Sequence, residues 1–235
     1  MNDDRPIHPV DAAQAAARAY GGRGDSLETF NVAETDTQGY VARIDGRPVI
    51  AFRGTTNVSD WRRNAKVIKV DFDPDNGGAG RVHRGFRAAA ASALGDVLVQ
   101  LAAHSPDPTE SVNVIGHSLA GPLAIFTGLW LQQYDARRPV HATVFGCPRP
   151  GDAAFAAWVD SKLAVDSWVL GQDPVTWIPK WGYEPVGARH HLGSKWRRSQ
   201  IRRLLPGRWG GPFGLWAGDH GIDEYIDALL ERFTV

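Results

Sequence analysis

A single cysteine, Cys147, is all the thiol chemistry this chain has, and one thiol excludes any intramolecular disulfide. No Cys/His cluster has the spacing of a structural zinc site, so neither a metal nor another cofactor is expected. No charge excess exists either. Lys and Arg number 26 against 26 Asp and Glu, which argues against a nucleic-acid partner recruited by overall charge. The opening Met-Asn-Asp-Asp-Arg-Pro-Ile-His-Pro-Val lacks the basic start and apolar run of a signal peptide. No apolar stretch approaches the roughly 20 residues of a membrane span. The expectation is a cytoplasmic or otherwise soluble protein, with a secretion route that needs no cleaved signal left open. Also absent are Pro- or Ser-rich linkers, internal repeats and low-complexity tracts. A chain of 235 residues holds one α/β domain with a substantial core, so residues 1–235 read as a single domain.

What is present alternates between two hydrophobic periods. Residues 9–20 are alanine-rich and end at Gly21-Gly22, as a first helix would. Strands are expected at 39–44 and 48–53, joined by the hairpin turn Asp45-Gly46, with a short β-like run at 67–72. Phe86, Ala90, Leu94, Val97, Leu98 and Leu101 fall on one face of a helix spanning 86–103. Strands at 112–115, 140–145 and 165–170 are separated by helical segments, the last at 152–163. That alternation makes a parallel sheet with helices on its faces, where ligands bind beyond the C-terminal strand ends. A closing amphipathic helix is expected to bury Ile222, Tyr225, Ile226, Leu229, Leu230 and Phe233.

Residues 111–121, Ser-Val-Asn-Val-Ile-Gly-His-Ser-Leu-Ala-Gly, carry the clearest chemical signal, because an apolar strand runs straight into a tight turn with Ser118 at its tip. Pro122 is acceptable in the first turn of the helix that follows. Such an elbow strains the serine and holds its hydroxyl exposed above the sheet, with a helix N-terminus behind it. A serine hydroxyl is a weak nucleophile at neutral pH and needs both a base and an oxyanion hole. Taken alone, the pentapeptide fits a plain loop before a helix equally well. Ala120 stands where the strict Gly-x-Ser-x-Gly pattern has glycine. A methyl group is the smallest addition at this close approach, and it is expected to be tolerated.

In this topology an acid and then a histidine follow the serine. Asp173, in Gly-Gln-Asp-Pro-Val, lies just past the strand at 165–170, although an Asp-Pro turn residue is an equal reading. Asp166 is at the wrong end of that strand, and Asp152 and Asp160 lie on or before the preceding helix. His220 stands immediately before the last helix, on a loop able to return to the sheet. His190 and His191 adjoin a basic segment and read as solvated; His117 would point away from Ser118; His8, His83, His104 and His141 belong to earlier elements. A lone histidine is more often structural than catalytic, but its place after an acid and an elbow serine favours His220. With these three, His220 would take the Ser118 proton while Asp173 fixes the imidazole. The backbone N–H of Leu119 would be one oxyanion donor, and the loop after Arg53 places Thr55 as the second.

Phe52-Arg53-Gly54-Thr55, Asp60-Trp61 with Asn64, Val82-His83-Arg84-Gly85-Phe86, Gly116-His117-Ser118-Leu119-Ala120-Gly121, Phe145-Gly146-Cys147-Pro148-Arg149-Pro150-Gly151-Asp152, Asp173-Pro174-Val175 and Asp219-His220 follow one another across residues 40–226. In this order they make the chain resemble the class 3 lipases, the α/β-hydrolase family of filamentous-fungus lipases and their bacterial and plant relatives. The resemblance implies an α/β-hydrolase fold, a mostly parallel central sheet with helices on both faces and N-terminal hairpin strands. It implies Ser118, Asp173 and His220 as the triad, Thr55 and Leu119 as the oxyanion hole, and residues 57–66 as a lid. The implied activity is that of a serine carboxylester hydrolase, a lipase or esterase acting on acyl esters or lipids. A phospholipase A1 or a feruloyl-type aryl-ester esterase would share every catalytic residue. From a different class, an inactive hydrolase fold that binds lipid or a partner is the remaining alternative. Residues 57–64 are polar apart from Val58 and Trp61, and the disulfides of the secreted fungal enzymes are absent, which argues against strong interfacial activation.

Between Asp173 and His220 lie Trp177, Trp181, Trp196, Trp209 and Trp216, five of the nine tryptophans. They are mixed with Arg189, Lys195, Arg197, Arg198, Arg202, Arg203 and Arg208, and no acid occurs from 185 to 218. The favoured reading of this excursion, 177–216, is packing or shaping of an acyl groove beside a solvated basic face. The second reading is transient docking of 189–216 on a membrane or lipid surface. Trp61, Val175, Trp177 and Ile178 are the candidate groove residues.

Overall fold

Proline and glycine positions set several of the element boundaries. The structure, a computed structural model, describes residues 5–21, 29–54, 68–73, 79–193 and 219–234. Helix α1, Pro9–Arg18, begins on a proline whose missing N–H costs nothing in a first turn, and it buries Val10, Ala12, Ala13, Ala15 and Ala16. Strands β2, Thr37–Ile44, and β3, Arg47–Phe52, form the expected hairpin. Asp45 and Gly46 both take positive φ, 49° and 76°, the combination whose twist matches that of the paired strands. Strand β1, Thr29–Val32, pairs antiparallel with β2 and was not expected, since its four residues are too few to show a period. Strands β4, Lys69–Asp71, and β5, Arg81–His83, make a separate antiparallel pair.

Helix α2, Arg84–His104, is long and apolar enough by length and composition to cross a bilayer, contrary to the expectation that no stretch reaches that size. Its buried residues, Phe86, Ala90, Ala93, Val97 and Leu101, recur every three or four positions and join the core, while Val99 faces outward. That is the stripe of an amphipathic helix lying on a core.

The remaining elements are β6 (Val112–His117), α3 (Ala120–Tyr134), β7 (Val140–Phe145), α4 (Ala153–Lys162), β8 (Ala164–Leu170), β9 (Ala188–Leu192) and α5 (Ile222–Phe233). Seven strands form one sheet in the order β1-β2-β3-β6-β7-β8-β9, antiparallel as far as β3 and parallel beyond it. Neighbouring residues of a strand go to opposite faces. Ile50, Val114 and Val144 join one core with residues of α2, α3 and α4; Val49, Ile115 and Phe145 join another with residues of α1 and α5. Burial on both faces explains why β3 reads as a continuous apolar run from Val49 to Phe52 and not as an alternating one.

Two expectations need correction. Leu230 and Phe233 are exposed instead of buried, because α5 meets the sheet through Tyr225, Ala228 and Leu229. His190 is not simply solvated: it lies on the edge strand β9, its ring stacked 4.5 Å from Trp168 and hydrogen-bonded to Asp166.

Candidate active site

Ser118 closes the central strand at φ 60°, the left-handed region that a non-glycine residue occupies only under strain. Its N–H donates to the Phe145 carbonyl at 2.9 Å, and its own carbonyl accepts from Gly121 N–H at 2.9 Å, so both sides of the turn are pinned. Strand and helix come closest at Gly116, where a Cβ would fall 2.2 Å from the Ala120 carbonyl oxygen. The methyl of Ala120 itself is fully buried in the core, which accounts for the tolerated departure from glycine. One expectation is corrected: the serine is not exposed but only 1% accessible.

His220 reaches the serine from a loop just ahead of α5. Its Nε2 lies 2.8 Å from Ser118 Oγ and its Nδ1 2.8 Å from Asp173 Oδ2. A carboxylate only accepts, so the proton sits on Nδ1 and Nε2 is left as acceptor for the serine hydroxyl. Asp173 is completely buried and satisfies both of its sequence readings at once. Oδ1 caps the short 3₁₀ turn Pro174–Trp177 by accepting from Val175 N–H at 2.9 Å, and Oδ2 serves the imidazole. Gly146, at φ 56°, lies beneath that bond: a Cβ there would come 2.6 Å from Asp173 Oδ2 and 3.0 Å from His220 Nδ1. Any side chain at 146 would push acid and base apart.

Sequence reasoning counted Tyr225 as part of an apolar stripe and missed its hydroxyl. That group donates to Asp173 Oδ2 at 2.8 Å and accepts from Leu170 N–H at 3.1 Å. Burial, and then the charge of Asp173, push its ionisation far above the ordinary tyrosine range, so it acts only as a neutral donor to the acid. The available signal was a polar tip in a buried stripe one helical turn beyond the candidate base. His117 points away from Ser118, as expected, toward Tyr20 and the backbone of His220. Burial and the neighbouring His220 lower its pKa to about 3, which keeps it neutral.

Other sequence candidates fall in several places. Leu119 occupies the N-cap position of α3, directly after the serine, where helix N–H groups lack intrahelical partners. Val175 is buried, Ile178 half-buried and Trp177 exposed. Thr55, Trp61, the lid segment 57–66 and residues 194–216 of the Trp/Arg-rich excursion lie outside the described residues.

Residues 49–183 match the family model described as Lipase (class 3). A lipase of Rhizopus niveus is 35% identical over 186 residues, covering 75% of this chain and 45% of the relative. The secreted mono- and diacylglycerol lipase 1 of Fusarium solani is 30% identical over 69% of this chain and 48% of its own length. The chain thus spans about half the length of the curated relatives it matches. A solved lipase structure from Rhizopus microsporus var. chinensis superposes with a TM-score of 0.68 at 29% identity, over 78% of this chain and 73% of that one. The cytoplasmic expectation is overturned, because relatives bear names as secreted lipases; it rested on ten residues at one end of the chain. Sheet order, helices on both faces and these likenesses give the α/β-hydrolase fold. With more than half of its residues under the family model, and the elbow serine, acid and histidine within hydrogen-bond reach, the chain belongs to the class 3 lipase family.

Proposed function

We propose that this protein is a serine carboxylester hydrolase of the lipase or esterase type, with Ser118, His220 and Asp173 as its catalytic residues. The observation that carries this reading is the unbroken chain from Asp173 Oδ2 through both nitrogens of His220 to Ser118 Oγ, each gap 2.8 Å. Ser118 Oγ attacks the acyl carbon and passes its proton to His220 Nε2. Asp173 stabilises the imidazolium that results. Collapse of the tetrahedral intermediate breaks the ester C–O bond, and the leaving alcohol takes that proton. Water then repeats the sequence on the acyl-enzyme, with His220 as base, and releases the acid. Leu119 N–H and Thr55 are the proposed oxyanion donors, and Trp61, Val175, Trp177 and Ile178 the proposed groove.

Residues 57–66 are proposed as the lid; the burial of Ser118 supports a segment that must move before an ester reaches it. Lipid-surface contact along 189–216 is proposed from its arginines and tryptophans, and one domain from 1 to 235. The inactive-fold alternative is disfavoured because all three side chains are present and bonded.

A fluorophosphonate probe tests the reading. Wild-type protein should acquire one adduct on Ser118, and folded protein that acquires none would remove the enzymatic assignment. A p-nitrophenyl ester series run below and above substrate aggregation then reads groove length and lid behaviour together.

A further inference from the structure

His117 takes no part in the proposed proton transfers, yet its ring joins several of the loops that carry them. Its Nε2 lies 2.8 Å from the backbone carbonyl of His220. A carbonyl only accepts, so Nε2 holds the ring proton. Nδ1 of the neutral ring is then an acceptor, and it lies 2.7 Å from the Tyr20 hydroxyl, which donates to it. The same hydroxyl is hydrogen-bonded to the backbone of Gly54, beyond the end of β3, where a Cβ would approach it to 2.1 Å. Tyr20 therefore stands where the turn after α1, the exit of β3 and the exit of β6 converge.

The members of the triad are held in unequal ways. Ser118 and Asp173 follow strands β6 and β8, whose ladders fix them. His220 lies on a loop outside the sheet. Its ring is held by Asp173, and its backbone by His117. We propose that Tyr20 and His117 are positioning residues. Tyr20 locks His117 as its Nε2–H tautomer, and His117 anchors the His220 carbonyl so that the imidazole keeps both of its contacts. The opposite tautomer would set a ring lone pair against the carbonyl oxygen, and the tie to His220 would be lost. This role rests on the serine hydrolase reading above.

The test uses His117→Ala, His117→Gln and Tyr20→Phe, each followed by p-nitrophenyl butyrate kinetics and by the rate of fluorophosphonate labelling. Glutamine places an amide N–H near the site of Nε2. His117→Ala should lower kcat by about 30- to 300-fold with KM changed by less than about threefold, since displacement on the ångström scale costs rate and not binding. His117→Gln should recover to within about tenfold of wild type, and Tyr20→Phe should lose roughly 5- to 30-fold. Ring ¹⁵N spectra, assigned by the signal lost in His117→Gln, should show an unprotonated Nδ1 in the wild type. A protonated Nδ1, or wild-type kcat in Tyr20→Phe, would overturn the proposal even where His117→Ala fails to fold. A wild type that takes up no probe sinks the hydrolase reading and this role with it. A labelled wild type alongside a fully active His117→Ala sinks the positioning role alone.

Discussion

Asp166, near the start of β8, and Asp173, just beyond its end, both hold imidazole rings, and they hold them by different nitrogens. His141 and His190 reach Asp166 through Nε2, at 2.8 and 2.5 Å. His220 reaches Asp173 through Nδ1 at 2.8 Å. Nδ1 lies beside a histidine's own backbone and Nε2 at the ring tip. A ring that binds its acid by Nδ1 therefore presents the tip to a nucleophile, whereas a ring bound by Nε2 has already committed that tip. Location reinforces the distinction. Asp173 lies beyond the C-terminal strand ends, where the elbow and a helix N-terminus also arrive; Asp166 lies within the ladder, paired with Thr143 on one side and Ala188 on the other. Asp166 keeps 28% of its side chain in contact with solvent while Asp173 has none. Hydrogen bonds from His141 first, and from His190, hold the Asp166 carboxyl below the ordinary range.

Turnover should separate the two ends most widely. Ser118→Ala should cost about 10⁶ in kcat on a p-nitrophenyl ester, and an active variant would mean another nucleophile. Asp173→Asn should cost roughly 10⁴, because the amide favours the wrong imidazole tautomer. Asp166→Asn should leave kcat within about threefold while lowering stability by about 1–2 kcal/mol in urea melts. A large kcat loss in Asp166→Asn would erase the functional contrast between the two acids. The proposed oxyanion donor comes next: Thr55→Val should cost about 10- to 1,000-fold, and unchanged kcat would leave only backbone donors there. Tyr225→Phe removes one of the bonds to Asp173 Oδ2 and should lower kcat by roughly 3- to 30-fold, of the size expected for one charge-assisted bond. Full activity would assign that hydroxyl to folding alone.

A last effect concerns acid stability and not turnover. His117, with an ordinary pKa of 6.5, is held at about 3 in the fold. Below pH 6.5 the unfolded chain takes up a proton that the native protein refuses, so this contribution is complete above that value and is lost as pH falls toward 3. Asp166 behaves in the same sense over a lower range: its carboxyl is held below 3.8, and its contribution is lost only as pH falls through that range. Between about pH 7 and 4.5, His117 should therefore account for roughly 2–3 kcal/mol of lost stability. His117→Gln should flatten that fall in urea midpoints taken at the two pH values. An equal fall in variant and wild type would place the acid sensitivity elsewhere.

Much of the sheet was readable from residues because its strands are either buried on both faces or joined by a turn of known chemistry. Asp45-Gly46 announced the hairpin, and the runs at 112–115 and 140–145 announced the central strands. β1 and β9 were not readable: each is a short outer strand of the sheet, and pairing with a neighbour, not an internal pattern, makes it a strand. Ser118, Asp173 and His220 were legible as an ordered series of residue types on a strand–turn–helix plan. Their shared hydrogen bonds were not, because 102 residues separate the serine from the histidine and 47 separate the acid from it.

From the sequence alone came the alternation of periods, the elbow, and the chain order of nucleophile, acid and base, since these follow from local sterics and spacing. Tertiary structure alone decided which nitrogen each histidine turns to its carboxylate, and that Tyr225 and Tyr20 place hydroxyls on Asp173 and His117. It also decided that the serine lies buried. Such choices depend on side chains brought within 3 Å by packing of distant segments, and no periodicity along a chain encodes them.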